Sequence, residues 1–201
     1  MDIERINSYD DTRFSKNILN QHGCFLVDGA PYEVEIISES EAIIHGKSLS
    51  CFDELIEEFR FYTPHIYLFY DEDKNVIKEC AHLEIIEIPL KDIQPSQFYV
   101  EIDKVNAIKT FIQKPKDIII QVIEHNGRYI SLDGHTRLYY ASTLGFETVR
   151  AVFAESNSYI YDFAKEAINR KIESSNDLIL LNHEEYNVKW NSYCDDYFSR
   201  K

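Results

Sequence analysis

The sequence predicts an α+β fold built from short strands and short helices. The chain has 201 residues, of which 44% are hydrophobic and 28% charged, so it is long and apolar enough to bury a core. Apolar and polar residues alternate at Tyr32–Ile37, as they do in half-buried strands. After Ser50 the apolar residues recur at intervals of three and four, as they do in helices. Both patterns recur along the chain, and together they indicate an α+β protein.

The first 82 residues are predicted to form a small α+β unit. Asp28-Gly29 and residues 71–75 have turn composition, and each lies between two strand-like runs. The predicted elements are a helix at Arg13–Asn20, strands at Cys24–Val27, Tyr32–Ile37 and Ala42–His45, a helix from Ser50 that ends at Pro64, and a hairpin of residues 65–70 and 76–77. This unit shows no group of residues typical of a catalytic site. We therefore assign it, as a hypothesis, a role in contacting a protein partner.

Residues 83–155 are predicted to form a second unit with a mixed sheet and flanking helices. Asn126-Gly127 is a two-residue hairpin signal, and Ile118–Ile123 has the β-branched composition of a strand buried on both faces. The predicted order is a strand at Glu84–Leu90, a turn at Pro95–Gln97, a helix at Val100–Gln113, a hairpin of Ile118–Ile123 and Arg128–Leu132, a turn at Asp133-Gly134, a helix up to Gly145, and a strand at Thr148–Phe153.

Residues 156–201 are predicted to form a helical C-terminal extension. Ser158–Ile172 has the spacing of an amphipathic helix, and after a polar break Leu178–Leu181 and Glu184–Phe198 are also predicted to be helical. The last stretch carries aromatic side chains that we expect to pack back on the second unit, namely Tyr186, Trp190, Tyr193, Tyr197 and Phe198.

The turn that begins at Asp133 is the strongest candidate for a functional site. The first N–H groups of a helix have no partner inside the helix, and the helix dipole adds positive charge, so this turn favours an anion such as phosphate. Gly134 lets a ligand approach the backbone, and the N–H of Thr136 adds a donor. Arg137 and His135 could donate to the same phosphate, whereas Asp133 suits Mg²⁺ or a substrate hydroxyl. Phosphate together with a metal ion indicates a nucleotide.

A purely structural interpretation of the same turn is also open. Asp133 would then cap the helix, and Gly134 would be an ordinary turn residue. Arg137 would pair on the surface with a carboxylate such as Glu147, and Ser96 would cap the element that follows it.

Two motifs of this chain resemble those of the ParB/sulfiredoxin superfamily. The first is Asp133-Gly-His-Thr-Arg137, followed by a helix of small residues, Leu144-Gly-Phe146 and a strand. The second is the upstream stretch Ile88–Gln97 with the helix after it, and the two motifs occur in the order that the family has. The resemblance covers about Leu83–Phe153 and implies a ParB/sulfiredoxin-like nucleotide-binding domain at residues 83–155.

Within that superfamily the chain looks most similar to the free serine kinase branch. The resemblance implies that ATP or ADP binds together with Mg²⁺, that Asp133 is the metal ligand, and that phosphate is transferred to a small-molecule hydroxyl. It implies catalytic roles for Asp133, His135 and Arg137. The nucleotide-binding residues that it implies are Pro95, Ser96, Gln97, Gly134, His135, Thr136 and Arg137.

The chain departs from the kinase pattern at two positions. Gln97 stands where the family has a glutamate that acts as general base, and an amide cannot take a proton, although Glu101 or Asp103 could substitute. Thr136 replaces a second histidine, but its N–H remains available to phosphate, so binding is less affected than catalysis. The alternative function is therefore a non-catalytic nucleotide sensor or interaction protein.

Charge and composition limit the remaining classes of function. The formal net charge of −14 argues against DNA as a partner, and the tail supplies no helix-turn-helix, so a DNA-partition or nuclease role is the least favoured. We see no signal peptide and no apolar run of about 18 residues, which predicts a cytoplasmic protein without a membrane partner. The four cysteines are scattered and none lies in the Asp133 turn, so we do not expect the sulfiredoxin reaction.

Overall fold

The computed structural model describes residues 1–200 and shows an α+β protein with mixed sheets. The chain folds as two compact units, one of residues 1–84 and one that begins at Ile85. Each unit has its own sheet and its own apolar core. At this level the predicted fold class is confirmed.

A six-stranded sheet forms the first unit. Its strands are β1 (Ile3–Arg5), β2 (Cys24–Val27), β3 (Ala30–Ile36), β4 (Glu41–His45), β5 (Leu68–Tyr70) and β6 (Val76–Glu79), with helices α1 (Lys16–Asn20) and α2 (Phe52–Tyr62). The strands lie in sequence order, and all neighbours are antiparallel except β4 and β5, which are parallel. Asp28 and Gly29 have φ angles of 48° and 80°, the conformation of a tight hairpin turn between β2 and β3.

The apolar face of α2 supplies much of the core of this unit. Phe59 lies edge-on to Phe25 of β2 and Phe69 of β5, with ring centroids 6.4 and 6.2 Å apart. Burial stabilises a side chain of this kind by roughly 1.5–3 kcal/mol. The buried positions of α2 are those that the helical spacing predicts, namely Phe52, Leu55, Ile56 and Phe59.

A five-stranded mixed sheet forms the centre of the second unit. The strands of this unit are β7 (Ile86–Pro89), β8 (Ile93–Gln94), β9 (Tyr99–Glu101), β10 (Ile119–His125), β11 (Arg128–Ser131), β12 (Thr148–Phe153) and β13 (Ile179–Leu181). The sheet order is β7-β12-β10-β11-β8, with β10 parallel to β12 and antiparallel to β11. The remaining strands, β9 and β13, form a separate parallel pair. Asn126 and Gly127 have φ angles of 52° and 75°, so the predicted hairpin turn between β10 and β11 is present.

The helices of the second unit are α3 (Ile102–Ile108), α4 (His135–Thr143), α5 (Tyr159–Asn169), α6 (His183–Tyr186) and α7 (Ser192–Ser199). A π-helical turn at Asn187–Asn191 joins α6 to α7. The rings of Trp190 and Tyr193 lie 5.1 and 5.0 Å from that of Phe98, so these tail aromatics pack on the unit as predicted. Throughout the described chain, residues 1–200, no helix has the length and apolar character that crossing a bilayer requires.

Two of the predicted helical segments are wrong because the chain pairs there as strands. Leu178–Leu181 was predicted to be helical, but Ile179–Leu181 forms β13 and lies in register with Tyr99–Glu101 of β9. For the same reason the helix predicted from Val100 begins only at Ile102. Both strands are short and lie far apart in the sequence, so the pairing that stabilises them leaves no local pattern.

Candidate functional site

The turn between β11 and α4 is built around Gly134. This residue has φ 85° and ψ 18°, a left-handed conformation that residues with a side chain rarely adopt. A Cβ at this position would lie 2.6 Å from Cγ2 of Ile120, so the space beside the backbone is closed as well. Gly134, not Asp133, is the N-cap of α4, and over residues 1–200 no side chain caps it. The N-cap residue therefore offers no side-chain acceptor to the first N–H groups of α4.

His135, the first residue of α4, is buried and neutral. Its Nε2 accepts a hydrogen bond from the N–H of Ser96 at 3.1 Å, so the proton of the neutral ring is on Nδ1. The hydroxyl oxygens of Ser131 and Ser96 lie 2.9 and 3.2 Å from the same nitrogen. Burial is the largest effect on His135 and lowers its pKa to about 4. The charge of Asp133 raises this pKa to a smaller extent, and the charge of Arg137 lowers it to a smaller extent.

The loop after β8 is thereby fastened to the turn before α4. Besides its bond to His135, Ser96 donates its hydroxyl proton to the backbone oxygen of Ser131 at 2.7 Å. The Pro95 carbonyl accepts from the side-chain amide of Gln94 at 2.9 Å. The structure thus brings Ser96 and His135, one from each of the two sequence motifs, into direct contact.

Arg137 is directed at acceptors within the chain. It donates through Nη1 to the backbone oxygen of Ile119, and its Nη2 lies 3.4 Å from Oδ2 of Asp133. The Asp133 side chain is 50% exposed and that of Arg137 23% exposed. The carboxylate that Arg137 meets is therefore Asp133, one helical turn away, and not Glu147 as the structural interpretation suggested. Thr136 is half-buried between them in the first turn of the helix.

Sequence analysis missed the part that the C-terminal segment plays here. Tyr186 of α6 is buried, and its phenolic oxygen accepts a hydrogen bond from Nε2 of Gln97 at 2.7 Å. Burial raises the pKa of Tyr186, and the charges of Glu101 and Asp133 raise it further, so both carboxylates act on the same phenol. The same amide group of Gln97 donates to the backbone oxygen of Tyr99 at 2.6 Å.

A second missed contact joins Glu101 to His183. Nδ1 of His183 lies 2.5 Å from Oε1 of Glu101, and the hydrogen bond to this carboxylate raises the pKa of His183. Glu101 is buried. The ammonium of Lys104 lies 3.7 Å from Oε2 of Glu101 and 4.9 Å from the ring centre of Tyr186. In the structure, the π-helical turn after Tyr186 marks this segment, because such turns are frequent at functional sites. The sequence itself does not reveal the turn.

The residues of the Asp133 turn fit phosphate and Mg²⁺ in part. A helix start without an N-cap side chain suits phosphate oxygens, and the half-exposed Asp133 is an oxygen ligand of the kind that Mg²⁺ takes. The Cβ position of Gly134 itself is filled by Ile120, so glycine is needed there for packing. Magnesium usually has one or two protein carboxylates and completes its shell with phosphates and water. A single aspartate is therefore sufficient on the protein side.

Comparisons with known proteins found solved structures only. No family model matches the chain, and no curated protein matches it. Among twelve matching chains of solved structures is protein Atu1540 from Agrobacterium tumefaciens, at 17% identity and a TM-score of 0.35, which covers 47% of this chain. The match spans 61% of the length of Atu1540.

A second similar structure is sulfiredoxin from Arabidopsis thaliana. It is 24% identical, has a TM-score of 0.30, and covers 41% of this chain and 97% of the sulfiredoxin chain. Both likenesses are partial, so what this chain binds has to be inferred from its own residues.

Proposed function

We propose that this chain binds a purine nucleotide, with the phosphates on the first turn of α4 and Mg²⁺ on Asp133. The observation that carries the proposal is the helix start at Gly134, a left-handed glycine with no side chain to cap the helix. The N-terminal N–H groups and the dipole of this nine-residue helix would stabilise a bound anion. The choice of a purine, as ATP or ADP, rests on the sequence resemblance.

His135 has a positioning role in this proposal and does not contact phosphate. Its Nε2 faces Ser96 and Ser131, and its low pKa keeps the ring neutral near pH 7, so it has no positive charge to offer a phosphate. By holding the loop of Ser96 against the turn, it fixes the distance between Pro95, Ser96 and Gln97 on one side and the N–H groups of Gly134 and Thr136 on the other.

Asp133 and Arg137 are the charged pair that a nucleotide would separate. Their contact of 3.4 Å is long for a charge-assisted hydrogen bond, and Asp133 is half-exposed. An exposed pair of this kind contributes little to stability, so its separation costs little. Asp133 can then take Mg²⁺, and the second guanidinium nitrogen of Arg137 can take a phosphate oxygen.

Binding without phosphate transfer is the function that the geometry supports best. By the sequence resemblance Gln97 stands where the kinase has its base; its amide donates to Tyr99 and Tyr186, and an amide does not take a proton. A nucleotide sensor or interaction protein is therefore favoured over a phosphotransferase. Transfer to a small-molecule hydroxyl is the second candidate, since Glu101 has a carboxylate that can take a proton, and Lys104 contacts both Glu101, at 3.7 Å, and the ring of Tyr186, at 4.9 Å from its centre.

Isothermal titration of the full chain with ATP, ADP and CTP, each with and without Mg²⁺, tests the proposal. We expect saturable heat with ATP or ADP that is stronger with Mg²⁺, and no release of ADP or phosphate over hours. Release of ADP in the presence of candidate hydroxyl compounds would instead favour the phosphotransferase. Absence of heat with all three nucleotides at millimolar concentration rejects the proposal.

The chain offers a matched pair of glycine variants. Gly134 and Gly145 flank α4 and both have a positive φ, but a Cβ at Gly145 would meet nothing within 4 Å. Gly134→Ala should weaken nucleotide binding at least about tenfold, because one charge-assisted hydrogen bond contributes about 1.5–3 kcal/mol. Gly145→Ala should leave the affinity unchanged. Asp133→Asn, at a half-exposed site that tolerates the change, should remove the gain from Mg²⁺.

Other expectations stay predictions. These are the cytoplasmic location, the absence of DNA and membrane partners, and the protein partner for the first unit.

A further inference from the structure

The pairing of β9 with β13 brings three metal-binding side chains together. Leu181 of β13 lies opposite Glu101, the last residue of β9, and His183 follows two residues later. Asp103 lies in the first turn of α3, the helix that begins directly after Glu101. One ligand atom from each of Glu101, Asp103 and His183 lies within 4.8 Å of the others.

We propose that Glu101, Asp103 and His183 bind a first-row divalent metal ion, with Zn²⁺ and Mn²⁺ as the best-suited ions. An imidazole nitrogen with carboxylate oxygens is a donor set that both ions accept, whereas Mg²⁺ strongly prefers oxygen alone. This site is separate from the Mg²⁺ proposed on Asp133 and does not depend on a nucleotide.

The burial of Glu101 is the first argument. Its side chain is only 8% exposed, and a buried carboxylate is costly unless a positive charge compensates it. The nearby groups compensate it only in part, since the ammonium of Lys104 is 3.7 Å away and His183, although its Nδ1 lies 2.5 Å from Oε1, has a ring that is 65% exposed. A divalent ion between Glu101 and His183 would supply the missing positive charge.

The surroundings of His183 are the second argument. Histidines that bind metals usually have a hydrogen-bond partner on the other ring nitrogen, which fixes the orientation of the ring. Nε2 of His183 lies 2.9 Å from Nδ2 of Asn187, whose Oδ1 accepts a hydrogen bond from Asn191 at 2.6 Å. With the ion on Nδ1, Nε2 carries the proton of the ring, and the Asn187 amide turns over so that Oδ1 accepts it. Both asparagines belong to the π-helical turn, so the irregular backbone places the partner of His183.

The geometry needs two adjustments. Bonds of about 2.0–2.2 Å to Zn²⁺ place neighbouring ligand atoms roughly 3.3 Å apart. Nδ1 of His183, now 2.5 Å from Oε1 of Glu101, therefore moves away from it, and the more distant ligand atoms, which spread over up to 4.8 Å, move closer. Asp103 and His183 are exposed and can rotate towards the ion, while Glu101 is fixed by burial. In the metal-free state a proton joins Nδ1 of His183 to Glu101; the ion takes its place, and the proton moves to Nε2, so that the ring stays neutral.

Titration of the full chain with Zn²⁺, Mn²⁺ and Mg²⁺ in the absence of nucleotide tests the site. We expect Zn²⁺ and Mn²⁺ to bind at one site per chain and Mg²⁺ at least about tenfold more weakly. Mn²⁺ serves as a check on thiol binding, because cysteine is a poor ligand for it.

Variants distinguish metal binding at this site from non-specific metal binding elsewhere on the chain. His183→Gln and Asp103→Asn, both at exposed positions, should abolish measurable binding, and Asn187→Ala should weaken it about 10- to 100-fold. His45→Gln is the matched control, because His45 also lies between two carboxylates, at 3.1 Å from Glu35 and 3.4 Å from Glu72. Equal affinity in wild type and His183→Gln, or loss of binding only in His45→Gln, overturns the proposal. Metal binding without nucleotide binding would sustain this site and reject the proposed function alone.

Discussion

The backbone N–H of Ser96 donates to Nε2 of His135 at 3.1 Å, and this bond joins two segments that lie 39 residues apart. The acceptor nitrogen must be unprotonated for the bond to exist, so the contact requires a neutral histidine. Protonation of His135 would place two donors face to face in a buried position. The attachment of the loop to the turn is therefore coupled to pH.

We predict that stability falls in mild acid because of His135. Its pKa is about 4 in the folded chain against an ordinary value of 6.5, so between these values the unfolded chain binds a proton that the folded chain does not. Stability from this group is fully present above pH 6.5 and is lost as the pH falls towards 4. The full loss is about 3 kcal/mol, measurable by urea unfolding across this range.

The control for this prediction is His135→Gln, which keeps an acceptor near the position of Nε2 but does not titrate. Carboxylates also change protonation in this range, so the informative quantity is the difference in free energy of unfolding between the wild type and His135→Gln. That difference should narrow as the pH falls from 6.5 to 4. Parallel pH dependence in both proteins would show that His135 is not buried in the neutral form.

Gly134→Ala should destabilise the chain much more than Gly145→Ala. At Gly145 only the positive φ opposes alanine, which costs of order 1 kcal/mol. At Gly134 the added Cβ also meets Cγ2 of Ile120 at 2.6 Å, so strand or helix must shift and the total should reach at least about 2 to 3 kcal/mol. Thermal unfolding of the two variants measures the difference in stability. Equal losses of stability would mean that Ile120 of β10 can move aside without cost.

The sequence predicts those parts of the fold that depend on near neighbours. The hairpin at Asn126-Gly127 and the inward face of α2 are confirmed because a turn type and a helical period are each determined within a few residues. Gly134 could be singled out for the same reason. The residue opposite it, Ile120, gives the second reason for glycine and is invisible in the local sequence.

Elements that depend on distant pairing could not be predicted. Ile179–Leu181 has no periodicity of its own and becomes a strand only because Tyr99–Glu101 lies beside it. The contact of Glu101 with His183 spans 82 residues and follows from that pairing. The candidate metal-binding residues therefore could not be recognised together before the strands were placed.

Asn182→Ala should loosen the start of α6. The Asn182 side chain accepts the N–H of Glu185 at 2.9 Å, and loss of such a cap costs about 1 kcal/mol. Because His183 is the next residue, the variant should also weaken Zn²⁺ binding without removing any ligand. Asn182→Asp or Asn182→Ser, which can still cap, should restore both stability and affinity, and an unchanged Kd in the alanine variant would separate the cap from the metal site.

Tyr186→Phe tests whether the phenol of Tyr186 matters beyond its ring. Phenylalanine keeps the buried ring but removes the acceptor of Gln97, whose amide still has the backbone oxygen of Tyr99. The loss should therefore be modest, about 0.5–1.5 kcal/mol by urea unfolding. Tyr186→Ala should cost about 3–5 kcal/mol, because it leaves a cavity under Lys104 as well. If Tyr186→Phe were as damaging as Tyr186→Ala, the hydroxyl and not the ring would be what holds the C-terminal segment to the loop of Gln97.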